Sequence, residues 1–167
     1  MLSKVASLMQ WLIIIMCTLS TAGLAADEGK LDSDLTHNVQ IVKKIYESFA
    51  AGDMEASMRD MDDHIMWKHP GVNTSIPFAG TFKGHEGVRQ FFSIAMKTLE
   101  VLDQRVNDFV ASGDKVVALG YEHMRVIKTG KDYESNWAHV YSFKDGKVIK
   151  FEEFIDTAEL AAAFDEN

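Results

Sequence analysis

The stretch WAHVYSFKDGKVIKFEEF, residues 137–154, decides the fold, because two alternating runs flank an Asp-Gly pair at positions 145 and 146. Asp-Gly between alternating runs is a strong signal for a two-residue β-hairpin loop. Earlier turn signals, Ser-Gly-Asp at residues 112–114 and Thr-Gly at residues 129–130, separate further alternating runs. The sequence therefore predicts four consecutive antiparallel strands between residues 101 and 156.

Helical patterns precede these strands. Apolar residues at helical spacing predict a first helix, with Thr36 as N-cap and Gly52 as the end: Val39, Val42, Ile45, Tyr46 and Phe49. Asp53 caps a second helix, residues 64–69 read as a strand, residues 72–84 as a polar loop and residues 85–99 as a third helix. TAELAAAF, residues 157–164, predicts a last short helix. This order favours an α+β domain whose curved sheet wraps a long helix and encloses a cone-shaped cavity.

Several segments together resemble a known family: FAAGDMEA, WKHPG, FAGTFKGHEGVRQFF, SGDKVVALG and WAHVYSFKDGKVIKFEEFIDT. They are similar to the SnoaL-like, ketosteroid-isomerase-related branch of the nuclear transport factor 2-like superfamily, over about Thr36 to Phe164. The resemblance implies a cone-shaped α+β barrel with N-terminal helices packed in a curved antiparallel sheet. Its members include enzymes and binding modules, so it predicts fold more strongly than function.

The resemblance also implies where catalytic groups lie. It puts His69, which precedes Pro70 and follows Asp53 by sixteen positions, where related isomerases keep their general base. A histidine can accept and return a proton near neutral pH. The two positions of the oxyanion donors fall on Ile45 and Ala138, which carry no donor, so steroid isomerisation is not expected.

The hairpin turns predict independently which side chains share the cavity face. A regular Asp145-Gly146 turn pairs Val140 with Phe151 and Ala138 with Glu153. The same pairing logic is extended through the Thr129-Gly130 turn, and the inward side of the first strand is added to it. It then predicts which catalytic and ligand-binding side chains share the cavity face. The catalytic candidates are His69, Glu153 and His123; the ligand-binding candidates are Trp67, Tyr121, Asn136, Val140 and Phe151.

Two alternatives to this site stay open. A one-residue slip would exchange the faces and bring His139, Trp137 and Tyr141 inward instead. His69 could also serve only to bond a loop carbonyl, with Glu153 part of a structural network.

Metal and cofactor motifs are weak. The six histidines form no HExxH or His-x-His pair, and no phosphate loop or Gly-x-Ser-x-Gly motif occurs. We predict no metal and no cofactor, and keep a facial triad of His69, His123 and Glu153 as a minor alternative.

The N-terminal segment predicts export. Lys4, an apolar run from Leu8 to Leu19 and small residues before Ala26 are typical of a signal peptide over residues 1–25. A membrane anchor would need about 20 apolar residues, and Met16 disfavours lipidation of Cys17. Residues 26–35 then form an acidic leader and residues 36–167 the SnoaL-like domain, which we expect to be secreted or periplasmic.

Composition limits the partners. Cys17 is the only cysteine, so the exported chain has no disulfide; removing Lys4 leaves 16 Lys and Arg against 25 Asp and Glu, a net charge of −9. This acidic balance argues against nucleic-acid binding and, after signal removal, against a membrane role.

Two functions remain. The chain is an isomerase, cyclase or lyase without a cofactor that uses His69 as base or acid on a small apolar, carbonyl-containing ligand, or it is a non-catalytic ligand-binding module. A homodimer through the sheet is expected in either case, because Trp137, Tyr141 and Phe154 would otherwise be exposed.

Overall fold

A computed structural model describes residues 33–166, so the predicted signal peptide and most of the acidic leader lie outside the described residues. The first helix, α1, is described over residues 33–50. The remaining elements are α2 Met54–Met58, β1 Met61–His69, β2 Gly80–Lys83, α3 Gly84–Thr98, β3 Leu99–Ser112, β4 Lys115–Val126, β5 Asp132–Lys144, β6 Lys147–Phe154 and α4 Thr157–Phe164. Within this part of the chain, no helix is long and apolar enough to cross a bilayer.

The six strands form one curved sheet in the order β2-β1-β6-β5-β4-β3. β1 and β6 run parallel, and every other neighbouring pair is antiparallel. The sheet is open between β2 and β3, and its concave face, called the inner face below, packs on the helices. The predicted α+β cone is confirmed.

Helix α1 supplies the apolar filling of the cone. Its side chains Ile41, Val42 and Ile45 are buried in the core, as their helical spacing predicts. The helix ends where Gly52 takes a positive φ of 73°, and the Asp53 carboxylate accepts a hydrogen bond from the Ala56 N–H at 2.9 Å, which starts α2. Thr36 is not the N-cap, because the chain is already helical at residue 33.

Strand β2 lies inside the segment that the sequence predicted to be a polar loop. Its four residues pair with the end of β1, from Met66 with Lys83 to His69 with Gly80. Gly80 has a φ of 134°, a conformation open to glycine, at the point where the loop enters the strand. A strand of four residues is too short to show an alternating pattern, which is why the prediction missed it.

A β-bulge at Ile149 decides the orientation of the sheet's side chains. Lys144 pairs with Lys147 and Phe143 with Val148, as a regular two-residue turn predicts. The register then shifts, so that Ser142 pairs with Lys150 and His139 with Glu153. Ile149 is therefore the extra residue of β6, and beyond it every cross-strand partner differs by one position from the predicted register.

Candidate active site

Three adjacent strands bring two histidines and a glutamate together on the inner face. His69 ends β1 and lies beside Glu153 of β6, while His139 of β5 is the direct antiparallel partner of Glu153. His69 Nε2 is 3.0 Å from Glu153 Oε2, and His139 Nε2 is 3.0 Å from Glu153 Oε1. The three residues are only 4%, 8% and 9% exposed, in the order His69, His139 and Glu153.

Helix α1 adds a hydroxyl to these groups. The Tyr46 hydroxyl oxygen is 2.7 Å from His139 Nδ1. Tyr46 is only partly buried, in contrast to the three groups behind it. Tyr46, His139, Glu153 and His69 thus form one continuous hydrogen-bonded chain, called the inner network below.

The partners of each nitrogen assign the hydrogens of the inner network. His69 Nδ1 is 2.8 Å from the Pro70 carbonyl oxygen, which can only accept, so this nitrogen carries a hydrogen. His69 Nε2 faces the Glu153 carboxyl group at 3.0 Å, so one proton lies between these two atoms. In its neutral form, His139 donates from Nε2 to the same carboxylate and accepts from the Tyr46 hydroxyl at Nδ1.

The protein environment lowers the pKa of Glu153 and raises the pKa of Tyr46. Burial by itself would raise the pKa of Glu153, but the charges and hydrogen bonds of His139 and His69 outweigh it and lower this pKa below its usual value. Burial, reinforced by Tyr141 and Glu153, raises the pKa of Tyr46. The network therefore holds its negative charge on Glu153 and keeps the Tyr46 hydroxyl protonated.

A second carboxyl lies on the same face. Glu122 of β4 is 5% exposed and accepts a hydrogen bond of 2.8 Å from the Tyr133 hydroxyl. Burial and then repulsion by Glu153 raise its pKa to about 7, against smaller lowering effects of Tyr133 and His69. The inner face thus holds two carboxyl groups of very different acid strength.

Aromatic rings surround these groups. Trp67 stacks on Phe151 with ring centroids 3.7 Å apart, and Trp137 stacks on His139 at 3.9 Å. Both indole Nε1–H groups are buried, and they are the only buried side-chain polar atoms between residues 33 and 166 without a hydrogen-bond partner. Such orphaned donors are costly and rare, which suits a site that receives a hydrogen-bond acceptor from a ligand.

A loop and the last helix close one end of this region. His69 packs edge-to-face on Phe78 of the 70–79 loop, with ring centroids 4.7 Å apart, and Phe78 contacts Phe164 of α4 at 5.9 Å. Two surface grooves, of about 400 and 470 Å³, lie elsewhere, one beside α2 and one on the outer side of β4 and β5.

The structure brings together four of the predicted site residues: His69, Glu153, Trp67 and Phe151. The predicted inward placement of the other four is wrong: His123, Tyr121, Asn136 and Val140 alternate with the buried residues of β4 and β5 and lie on the outer face. The Tyr121 hydroxyl donates to Glu134 there at 2.7 Å. His123 lies 3.3 Å from Asp132, so it does not converge with His69 and Glu153 as the facial-triad alternative requires.

The Ile149 bulge is the physical reason for these errors. The predicted register carried one face assignment from Glu153 through Ala138 to Tyr121, and one extra residue in β6 inverts it for β5 and β4. The inverted alternative, with His139, Trp137 and Tyr141 inward, is the one that the structure has. Glu122 and Tyr133 were not among the predicted site residues, although each lies at an alternating position of its strand and could have been found from that register.

Comparison with known proteins agrees with this geometry. A family model described as a SnoaL-like domain matches residues 42–151. The chain belongs to the SnoaL-like domain family. This places it in the nuclear transport factor 2-like superfamily, as the resemblance implied.

Solved structures share the fold of this SnoaL-like domain. A nuclear transport factor 2-like protein from Burkholderia xenovorans is 30% identical, with a TM-score of 0.72 over 78% of this chain and 98% of that one. Another, from Burkholderia thailandensis, is 27% identical with a TM-score of 0.70, over 77% and 97% of the two chains. TerC, co-crystallized with polyporic acid, shares the fold at 23% identity and a TM-score of 0.69, over 77% and 98%. A search of curated proteins finds no significant match.

The SnoaL-like domain departs from the isomerase pattern in one informative way. Ile45, at the expected tyrosine position, is buried in the apolar core, and Ala138 lies on the outer face between Leu119 and Phe154. The next residue in each case, Tyr46 and His139, has its polar group in the inner network. A hydroxyl donor is therefore present on α1, one residue beyond the position that the resemblance implied.

Proposed function

We propose that this SnoaL-like domain is a catalyst without a cofactor that moves a proton on a small apolar carbonyl compound, as in an isomerisation, aldol cyclisation or dehydration. The inner network carries the proposal: a partly buried hydroxyl is bonded to a histidine that a buried carboxylate orients. This order of groups is the one that activates a hydroxyl in hydrolytic triads. The two unpartnered indole N–H groups support it, because they suit ligand oxygen atoms.

The hydrogens assigned above give each group a role. Tyr46 accepts a proton from a carbon next to the ligand carbonyl while its own hydrogen passes to His139 Nδ1. Glu153 stabilises the imidazolium that forms on His139, as a carboxylate does for a catalytic histidine. Both ring nitrogens of His69 face partners within the protein, the Pro70 carbonyl oxygen and the Glu153 carboxyl group, so the role of the predicted base passes to His139.

A matched pair of histidine variants tests the proposal. We expect the full chain to catalyse deuterium exchange into an enolisable ketone, and His139→Gln to lose most of that exchange, about 100-fold or more. His123→Gln, on the outer face, should exchange like the wild type. Exchange by the wild type no faster than in buffer, or equal exchange by His139→Gln and the wild type, would contradict the catalytic role.

A binding module is the second candidate, and one observation favours it. Every ring nitrogen of His69 and His139 already has a partner, so the inner network is satisfied without a ligand. This candidate would be supported if the wild type bound a small carbonyl compound without catalysing its deuterium exchange, and if Trp137→Phe abolished the binding.

A further inference from the structure

Glu122 is a buried carboxyl group without a cationic partner. Within the described part of the chain, the ion pairs of the inner face go from His69 and His139 to Glu153, and none goes to Glu122. The direct contact of Glu122 is the Tyr133 hydroxyl, which donates to Oε1. An ionised carboxylate in such a place is costly unless it is paired, so the group holds its proton instead.

Groups on three neighbouring strands act on Glu122. Tyr133 of β5 bonds to it, the negative charge of Glu153 on β6 opposes a second negative charge nearby, and His69 of β1 partly offsets that effect. Two carboxyl groups that share a buried region cannot both ionise easily. Glu153 takes the charge because it has both imidazoles, and Glu122 stays neutral.

We propose that Glu122 is the proton donor of this site, delivering its carboxyl hydrogen to the carbonyl oxygen of the ligand. The chemistry rests on the proposed function, whereas the neutral state of Glu122 does not. With Tyr133 bonded to Oε1, the acid hydrogen lies on Oε2. Glu122 thereby complements Tyr46 and His139, which accept a proton and do not supply one to oxygen.

The step balances in atoms and charge. The C–H bond beside the carbonyl breaks, its proton goes to Tyr46 and the Tyr46 hydrogen goes to His139, while the C–H electron pair forms the C=C bond of an enol. The carbonyl π pair forms an O–H bond with the hydrogen from Glu122. His139 gains a positive charge as Glu122 gains a negative one, and return of the proton to a different carbon, with the enol hydrogen passing back to Glu122, completes an isomerisation.

Infrared spectroscopy tests the protonated state without any ligand. The full chain at pH 6 should show the carbonyl stretch of a protonated carboxyl group, and Glu122→Gln should lose it. Glu134→Gln is the matched control, because Glu134 accepts the same kind of hydrogen bond from Tyr121 on the outer face. Absence of the band in the wild type, or its persistence in Glu122→Gln, would overturn the proposal.

The deuterium-exchange assay tests the donor role. The wild-type exchange rate should fall above about pH 7, where Glu122 loses its proton. Glu122→Gln should be slower at pH 6 by about 100-fold and should lack that alkaline fall. If Glu122→Gln and the wild type exchange equally, the donor role is wrong although the domain is catalytic. If the infrared band is found but the wild type does not exchange, the proposed function fails, the donor role with it, and only the neutral state of Glu122 stands.

Discussion

Two glutamates of the inner face, Glu153 and Glu122, differ in charge because their hydrogen-bond partners differ. Glu153 and Glu122 are the same residue type, and both are nearly inaccessible to solvent. Two imidazole N–H groups bond to Glu153, whereas a neutral hydroxyl bonds to Glu122. Their separation in pKa therefore follows from local donors rather than from burial, which acts on both.

Glu122 makes the stability of the fold depend on pH. The folded chain holds this proton more tightly, with a pKa raised from 4.5 to about 7. Its contribution is therefore complete below about pH 4.5 and is lost as the pH rises to about 7, a change of roughly 3 kcal/mol at most. We expect Glu122→Gln to remove this loss, so that the variant gains stability relative to the wild type between pH 5 and pH 8.

Urea unfolding at pH 5 and at pH 8 measures the effect. A change in the midpoint concentration of urea, at an unchanged m-value, reports the change in stability. Glu134→Gln should keep the wild-type dependence, because its carboxylate is exposed. If the free energy of unfolding of Glu122→Gln and that of the wild type change equally with pH, the folded chain does not hold the Glu122 proton more tightly than the unfolded chain does.

At the scale of elements, strand β4 leaves no room for a side chain at Gly120. A Cβ atom at this position would overlap both the Trp137 ring, across the β4–β5 pair, and the Arg105 carbonyl oxygen of β3. Gly120 thus lets the Trp137 indole lie flat on the sheet, which in turn allows its stacking on His139.

We expect Gly120→Ala to destabilise the fold by about 2–3 kcal/mol, because it overpacks a rigid contact between strands. Adding Trp137→Phe should recover part of this loss, since the smaller ring vacates some of the space. Gly113→Ala is the control: no atom lies near its Cβ position, so the cost there is that of a positive φ alone. Thermal unfolding would contradict the argument if Gly120→Ala were no worse than Gly113→Ala.

The elements were more predictable than the faces that they present. The Asp145-Gly146 turn, the Asp53 cap and the helical stripe of α1 are set by residues close in sequence, and all three predictions are confirmed. Strand β2 was missed because its pairing with β1 is not encoded locally. Half of the candidate site was placed on the wrong face because Ile149, an ordinary strand residue, gives no local sign that it is bulged.

At the scale of the whole molecule, the outer face of the sheet has an apolar patch. Val110, Leu119 and Phe154 are 52%, 39% and 57% exposed and lie on β3, β4 and β6, with Ala138 of β5 between Leu119 and Phe154. The predicted dimer surface included Trp137 and Tyr141, which is wrong because both are buried on the inner face. We propose that the domain forms a homodimer through the outer face, with Phe154 near the centre of the contact.

Sedimentation velocity tests the dimer. The wild type should sediment as a dimer, and Phe154→Glu should sediment as a monomer because it buries a charge in an apolar contact. Met96→Glu, which changes an exposed apolar residue of α3, should remain a dimer. A monomeric wild type would refute the proposal.

We also propose export through the first 25 residues. Mass spectrometry should find a chain that begins at Ala26, and Ile14→Arg, which interrupts the apolar run, should leave the precursor uncleaved. Finding the precursor intact in the wild type would contradict export.

The bulge at Ile149 has a consequence for comparing this chain with its relatives. A relative that kept the Asp-Gly turn but lacked one residue in β6 would expose position 138, rather than position 139, to the interior. An alignment without a gap at the bulge would then equate residues that point to opposite sides of the sheet. Loss or gain of a single codon in this strand could therefore exchange the chemistry of the interior while leaving the fold intact, and relatives should be grouped by the presence of that residue before their reactions are compared.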